Sequence, residues 1–405
     1  EQFWRLALDR SIQQDLPELE AMCLDNLGDL QLEQEQCLKA VAYYDQAIEV
    51  LLPGLTAAEA GTALRAASNK EHLLNYLTDR GKALFACYQQ TGESTYLQQA
   101  LTNYHQADEL IDWMRYEHSA RGSKLYWREV TRPMFEQALE VCFELQDLEQ
   151  SFYFMEKSKA VLLLDAMRAH QARELIPEEV EQQEQVLQQQ LAALRLEQLH
   201  APEAEKEQWV DTILQVQQRL DQLVAQIQAA NPVYAVMRYG GGSLTTQDVY
   251  ARFVLPEQSG IVQYFMGSSQ VYIWTMRSDG RMEFLRQDAQ TINQDLQYYF
   301  AAMDKLSKAF YPDQYAEAAH RLYEDLFKAV DAFQDEPGVL IVPDGEIALL
   351  PFEALMRSSV FDPNQYLVQD LEIHYAYSMA VLNQQQRTLT KGKAVYTFAP
   401  LFEHG

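Results

Sequence analysis

VLIVPDGEIALLPFEALM, Val339 to Met356, decides the fold of the last third of this chain. Val339 to Val342 are apolar at every position, which fits a strand buried on both faces of a sheet. Pro343-Asp344-Gly345 reads as a turn, because proline presets its own φ and glycine accepts a positive one. A second apolar run leads to Pro351-Phe352-Glu353, read as a helix start. Proline in a first turn loses no hydrogen bond, and a glutamate suits the positive end of a helix.

The same layering continues on both flanks. Upstream, residues 290–333 form a helical stretch with Leu322, Leu326 and Val330 on one face. Downstream, KAVYTFAP (Lys393 to Pro400) reads as another buried strand. Helix, strand, helix and strand in alternation indicate an α/β layer fold. Further upstream, GIVQYFMGSSQVYIWTMRSDGRMEFLR (Gly260 to Arg286) alternates and is rich in Val, Ile, Tyr and Trp. It predicts two or three strands joined by turns at Gly267-Ser268-Ser269 and Ser278-Asp279-Gly280. Gly240-Gly241-Gly242 is a linker rather than a phosphate loop, since neither Lys-Ser nor Lys-Thr follows it.

The middle of the chain changes period. Trp209, Ile213, Val216, Leu220, Leu223 and Ile227 recur at alternating steps of four and three, one heptad seam on a long helix. Leu187, Leu191 and Leu194 make a shorter seam, and His200-Ala201-Pro202 separates the two. An antiparallel helical hairpin ending at Asn231-Pro232 is expected. It reads as a spacer packed on the next domain rather than a dimerising coiled coil.

In the first half, LDNLGDLQLEQEQCLKAVAYYDQAIEVLLPG (Leu24 to Gly54) places Leu24, Leu27 and Gly28 on one helix. Ala40, Tyr44 and Ala47 lie on a second, closed by Pro53. Small residues let the helices approach, the tyrosine fills the space between them, and proline cannot extend the helix. This order resembles a tetratricopeptide repeat (TPR). The second-helix pattern returns at Ala100, Tyr104 and Ala107, and more weakly at Ser151, Met155 and Ser158. The steps of 60 and 51 residues (104 − 44 and 155 − 104) exceed the roughly 34 of a standard repeat, so either longer helices or extra intervening turns are expected. Tyr43, Tyr104 and Trp113 are candidates for a partner-binding groove, although each residue type serves more often as core.

Lys plus Arg number 32 and Asp plus Glu 59, a net charge of −27. Such a surface repels phosphate backbones and argues against direct nucleic-acid binding. No apolar run is long enough to span a membrane, and a cytoplasmic location is expected. The four cysteines, Cys23, Cys37, Cys87 and Cys142, are scattered, so neither a disulfide framework nor a zinc site is expected. No metal or other cofactor is implied.

The segment VLIVPDGEIALLPFEAL is similar to the signature near the front of CHAT domains, caspase-like domains that commonly follow TPR repeats. FYFMEKSKAVLLLDAM (Phe152 to Met167) resembles the end of the last repeat in such proteins, and NPVYAVMRY (Asn231 to Tyr239) the exit from their hairpin. GIVQYFMGSSQVYIWTM resembles their first strands, and VYTFAPLF the strand that opens their catalytic half. The resemblance implies cysteine peptidase chemistry, with a histidine and a cysteine at the ends of neighbouring strands. Both family motifs lie beyond the Phe-Ala-Pro strand, and neither occurs here. No cysteine follows Cys142, and His374 and His404 are the only histidines after His320. His374 reads as structural. No catalytic residue is therefore assigned, and this chain alone is expected to be inactive.

The expected architecture is α plus α/β: TPR-like repeats over 1–173, a hairpin over 174–236, and the N-terminal part of a CHAT domain over 237–405. The expected function is a protein- or peptide-binding repeat module coupled to a caspase-like peptidase whose catalytic half lies elsewhere in a longer protein. The alternative is a non-catalytic interaction scaffold. Asp344 and Glu353 are candidates for a substrate groove, since carboxylates can hold a basic side chain. Turn-former and helix-start roles explain both residues without a groove.

Overall fold

The computed structural model describes residues 1–53, 64, 69–117, 121–159, 177–200, 203–230, 244–306, 312–328 and 336–389. Helices dominate. α1 (Gln2–Gln13), α2 (Pro17–Glu33) and α3 (Cys37–Leu51) are followed by α4 (Lys70–Thr91), α5 (Ser94–Glu117), α6 (Arg121–Leu145) and α7 (Leu148–Ser158). α8 (Glu178–His200) and α9 (Glu203–Ala230) form the hairpin.

The repeated helix pairs predicted from spacing are present. In the pair α2/α3, Leu24, Leu27, Ala40, Tyr44 and Ala47 are all buried. A Cβ on Gly28 would stand 2.7 Å from the Tyr44 ring, so only glycine lets the two helices close. The pair α4/α5 repeats this lock: a Cβ on Gly81 would enter the ring of Tyr104, itself flanked by buried Ala100 and Ala107. The long step from Tyr44 to Tyr104 has two sources: 18 residues (52–69) lie between α3 and α4, and α4 has 22 residues against 17 in α2. Ser151, Met155 and Ser158 are buried on α7 as the weaker third match required. Gly81→Ala is expected to lower stability by about 1–3 kcal/mol, because the added methyl forces Tyr104 off its rotamer. Thermal unfolding would check this, with Gly92→Ala as a comparison: its Cβ meets nothing, but its φ of +75° carries the strain of left-handed backbone.

One expectation is overturned. Cys37 at the start of α3 and Cys87 near the end of α4 are joined as a disulfide, with their Cα atoms 5.3 Å apart. The sequence hides the pair because 50 residues separate the two, and only the stacking of consecutive repeats brings them together. Cys23 and Cys142 are buried free thiols, as expected.

The hairpin closes along the predicted seam. Leu191 packs with Val216, Leu220 and Val224, while Leu187, Leu194 and Ile213 flank them. Through α8 it leans on α5 of the repeats. The glycine triplet and Asn231-Pro232 fall outside the described residues, as does the strand expected at 393–400.

The last third begins with a short helical segment whose first turn, α10 (Thr246–Val249), is held by a capping box between Thr245 and Asp248. Strands β1 (Gly260–Met266), β2 (Gln270–Met276) and β3 (Met282–Asp288) make an antiparallel meander. Helices α11 (Ala289–Leu306) and α12 (Pro312–Tyr323) lead to β4 (Gly338–Val342), then β5 (Glu372–Tyr375) and α13 (Met379–Leu389). The sheet order is β3-β2-β1-β4-β5, with β4 parallel to both neighbours. The predicted helix start at Pro351 is instead one 3-10 turn, Phe352–Ala354. The backbone cannot continue it, because Leu355 O accepts from Leu367 N (3.0 Å) and Met356 bridges Tyr366.

Both faces of the sheet are covered. Val262, Tyr264, Ile273, Val339 and Ile341 pack against Leu296 of α11, Leu322 of α12 and Phe352. Ile261, Phe265, Tyr272, Trp274, Phe284 and Val342 face the other way, into one continuous core with Phe135 and Leu139 of α6 and Phe152 of α7. The last two repeat helices are thus one of the sheet's two covering layers. A strand buried on both faces reads as a run of apolar residues, which explains why the opening segment carries no alternation.

Candidate functional site

β1 and β4 run parallel, so Met266 and Val342 end on the same side of the sheet. In open parallel sheets this carboxyl end is where functional groups gather. Here it holds a buried cluster of charged side chains drawn from both halves of the chain.

Asp344 lies two residues beyond β4 and is only 5% exposed. Its Oδ2 accepts from the backbone N–H of Met266 (2.9 Å) and from Nη2 of Arg132 on α6. The same guanidinium donates to the Met266 carbonyl and lies 4.6 Å above the Phe265 ring. Gly345, at φ +57°, packs against Met266, and its Cβ would stand 2.8 Å from the methionine sulfur. The Pro-Asp-Gly turn therefore fits because aspartate reaches back to β1 while glycine leaves room for the strand end.

Lys159 and Glu156 come from the end of α7. Lys159 Nζ donates to the Val342 carbonyl at 3.0 Å. Burial pushes this amine down to about 8, against the opposing pull of Asp344 and Glu156. Burial alone would raise the Asp344 carboxyl, but Lys159 and Arg132 overcome it and hold the group below its ordinary value. Glu156 is pushed up by burial, with Lys159 and its hydrogen bonds acting the other way. Its Oε1 accepts from Gln263 Nε2 in β1 (2.8 Å) and from Met379 N (3.1 Å), and Oε2 accepts from Ala380 N (2.9 Å). A carboxylate of the repeat module thus sits at the positive end of α13, where helix N–H groups have no partner within the helix.

The rest of α6 extends this junction. Arg132, Glu136, Glu140 and Glu144 recur every fourth residue, which puts them on one helix face. Glu136 accepts from the backbone N–H groups of Ser268 and Ser269 in the β1–β2 turn, at 2.8 and 3.1 Å. Glu140 accepts from the Tyr272 hydroxyl and pairs with Arg286, and Glu144 stands 3.4 Å from the same arginine. Lower on the interface, Trp274 Nε1 donates to the Leu148 carbonyl at 3.0 Å, with its ring 4.9 Å from Phe152. Sequence reading missed this stripe. Its signal was the i, i+4 run of charges on a helix whose other residues include Phe135, Leu139 and Cys142.

The residues singled out from sequence are dispersed. Glu353 is half-buried, and its Oε2 accepts from the Tyr375 hydroxyl at 2.6 Å on the β5 side; it shares no partner with Asp344. Asp344 lines no open groove, because the repeat helices cover it. Tyr104 is fully buried and donates to Gln137 Oε1 at 2.9 Å, so it is a packing residue and offers nothing to a partner in this conformation. Tyr43 is half-buried on α3, and the side chain of Trp113 lies outside the described residues. His374 stands exposed on β5, 3.0 Å from Glu372. Among the described residues no group of His, Cys, Asp and Glu has the arrangement of a metal site, and no helix is long and apolar enough to cross a membrane.

The CHAT domain family matches residues 316–400, from within α12 through β4, the Pro-Asp-Gly turn, β5 and α13. Over these residues the chain is similar to CHAT domains, a family related to caspase-like peptidases. No curated protein matches the chain.

Proposed function

We propose that this chain is a TPR-like, partner-binding module built into a caspase-like CHAT domain, and that the repeats control the position of the CHAT signature turn. The observation that carries the reading is the grip of Arg132 and Lys159 on Asp344 and Val342, inside a core that the two parts share. A partner that shifts α6 or α7 moves the carboxyl ends of β1 and β4 with them. In the family implied by the resemblance, a histidine and a cysteine stand at the ends of neighbouring strands beyond the Phe-Ala-Pro strand.

The reading predicts no hydrolysis of fluorogenic peptides by this chain alone, and thiol-sensitive hydrolysis once it is joined to a CHAT catalytic half. Turnover by this chain that survives replacement of all four cysteines by alanine would refute it. The absence of hydrolysis by the joined protein would favour a scaffold, for which a sheet covered on both faces is a suitable packing platform.

A further inference from the structure

The β1–β2 turn, Gly267-Ser268-Ser269, aims four donors at a single carboxylate. Glu136 on α6 accepts the Ser268 N–H on both oxygens, at 2.8 and 2.9 Å, and the Ser269 N–H on Oε1 at 3.1 Å. The hydroxyls add to these: Ser268 Oγ donates to Oε2 at 2.9 Å, and Ser269 Oγ to Oε1 at 3.3 Å. Gly267 makes the approach possible, because a Cβ there would collide with the Glu136 carboxylate. Successive backbone N–H groups in a turn form a concavity suited to anions. Hydrogen bonds to an ionised acceptor are roughly twice as strong as neutral ones.

Two features set this contact apart from the rest of the α6 stripe. The first is charge. Arg132 is paired with Asp344, and Glu140 with Arg286. Among the described residues Glu136 has no such counter-ion, and its hydrogen-bond partners are the uncharged donors of the turn. The carboxylate is held as a free anion would be. The second is access. Asp344 and Glu156 are buried, whereas Ser268 and Ser269 are exposed to solvent. The turn directly follows Met266, whose amide donates to Asp344, so it stands beside the Pro-Asp-Gly turn.

We infer that the Gly267-Ser268-Ser269 turn is a binding site for a small oxyanion, a carboxylate or a phosphate. Glu136 fills it from within, and an external anion fills it when α6 moves away. The two occupants exclude each other, so anion binding and docking of α6 on the turn are alternatives. That consequence rests on the reading of the repeats as controlling the sheet; the site itself does not.

The test empties the site with Glu136→Ala in the whole chain. Formate and inorganic phosphate are the probes, with chloride at equal ionic strength as the reference. At least one of the two should raise the thermal midpoint of the variant and slow hydrogen exchange over residues 262–272. The anion that acts at the lower concentration identifies the ligand as carboxylate or phosphate. The wild type should need at least about tenfold more anion, because a tethered Glu136 competes at a millimolar or higher effective concentration. Glu136→Gln leaves a weaker occupant in place and should respond in the same direction but less, which keeps the test decisive if the alanine variant does not fold. A response no larger than that to chloride overturns the site. An equal response in the wild type, or protection confined to other parts of the chain, overturns it as well. None of these failures touches the Arg132 and Lys159 contacts or the reading built on them, which is tested separately by hydrolysis in the joined protein.

Discussion

Asp344→Ala is expected to destabilise the folded chain by roughly 3–5 kcal/mol, the usual consequence of removing one partner from a buried ion pair. The carboxylate is the shared acceptor for Arg132 and the Met266 amide, and it lies close enough to Lys159 to raise that amine's affinity for a proton. Its loss leaves Arg132 facing the end of β1 without that carboxylate, and leaves Lys159 with Glu156 as the remaining carboxyl acting on it. The repeat helices and the sheet share one core, so the loss should appear as a lower midpoint of one urea transition rather than as melting of the sheet alone. Asp344→Asn should cost less, because the amide oxygen still accepts from Met266 N–H. A shift below about 1 kcal/mol for the alanine variant, within the range of ordinary surface changes, would mean that the cluster contributes packing and little else. Arg132 is about a quarter exposed, which places the expectation toward the lower end of the range.

The second large effect concerns Cys37 and Cys87. Chain-entropy arguments put the stabilisation from closing a 50-residue loop at roughly 4 kcal/mol. Cys37→Ser with Cys87→Ser, or treatment of the wild type with a reducing agent, should lower the thermal midpoint by similar amounts. Cys23→Ser should not reproduce the shift, since Cys23 is a free thiol. The lowered stability should be greatest in α3 and α4, which the bridge joins, and smallest in the hairpin of α8 and α9. Equal melting with and without reductant would show that the two sulfurs remain thiols in solution, as scattered cysteines in a sequence of this kind suggest.

The strands, turns and helix pairs were readable because each depends on local pattern. An unbroken apolar run marked β4, the Gly267 and Gly280 turns marked the meander, and the Gly28–Tyr44 lock recurred at Gly81 and Tyr104. Spacing also fixed the hairpin seam. What the pattern could not give was the pairing of distant parts. Asp344 read as a turn former or a groove residue, because nothing near it in sequence reveals Arg132, 212 positions away. The Cys37–Cys87 bridge was invisible for the same reason. Tyr104 has the size and polar tip of a groove residue, yet its place between Gly81 and Gln137 makes it core. The helix expected at Pro351 gave way to a 3-10 turn because Leu355 and Met356 bond to a later segment of chain. The stripe on α6 was legible as four charges at helical spacing, but its target, the edge of a sheet encoded more than a hundred residues later, was not.

Repeats and sheet form one mechanical body through the α6 contacts. A double-mutant cycle between Arg132→Met and Asp344→Asn, read by urea unfolding, tests it most directly. A coupling energy of about 1.5 kcal/mol or more, with all four proteins unfolding in one transition, is the predicted result. Additivity within about 0.5 kcal/mol, together with separate unfolding of the helical and sheet portions, would contradict it.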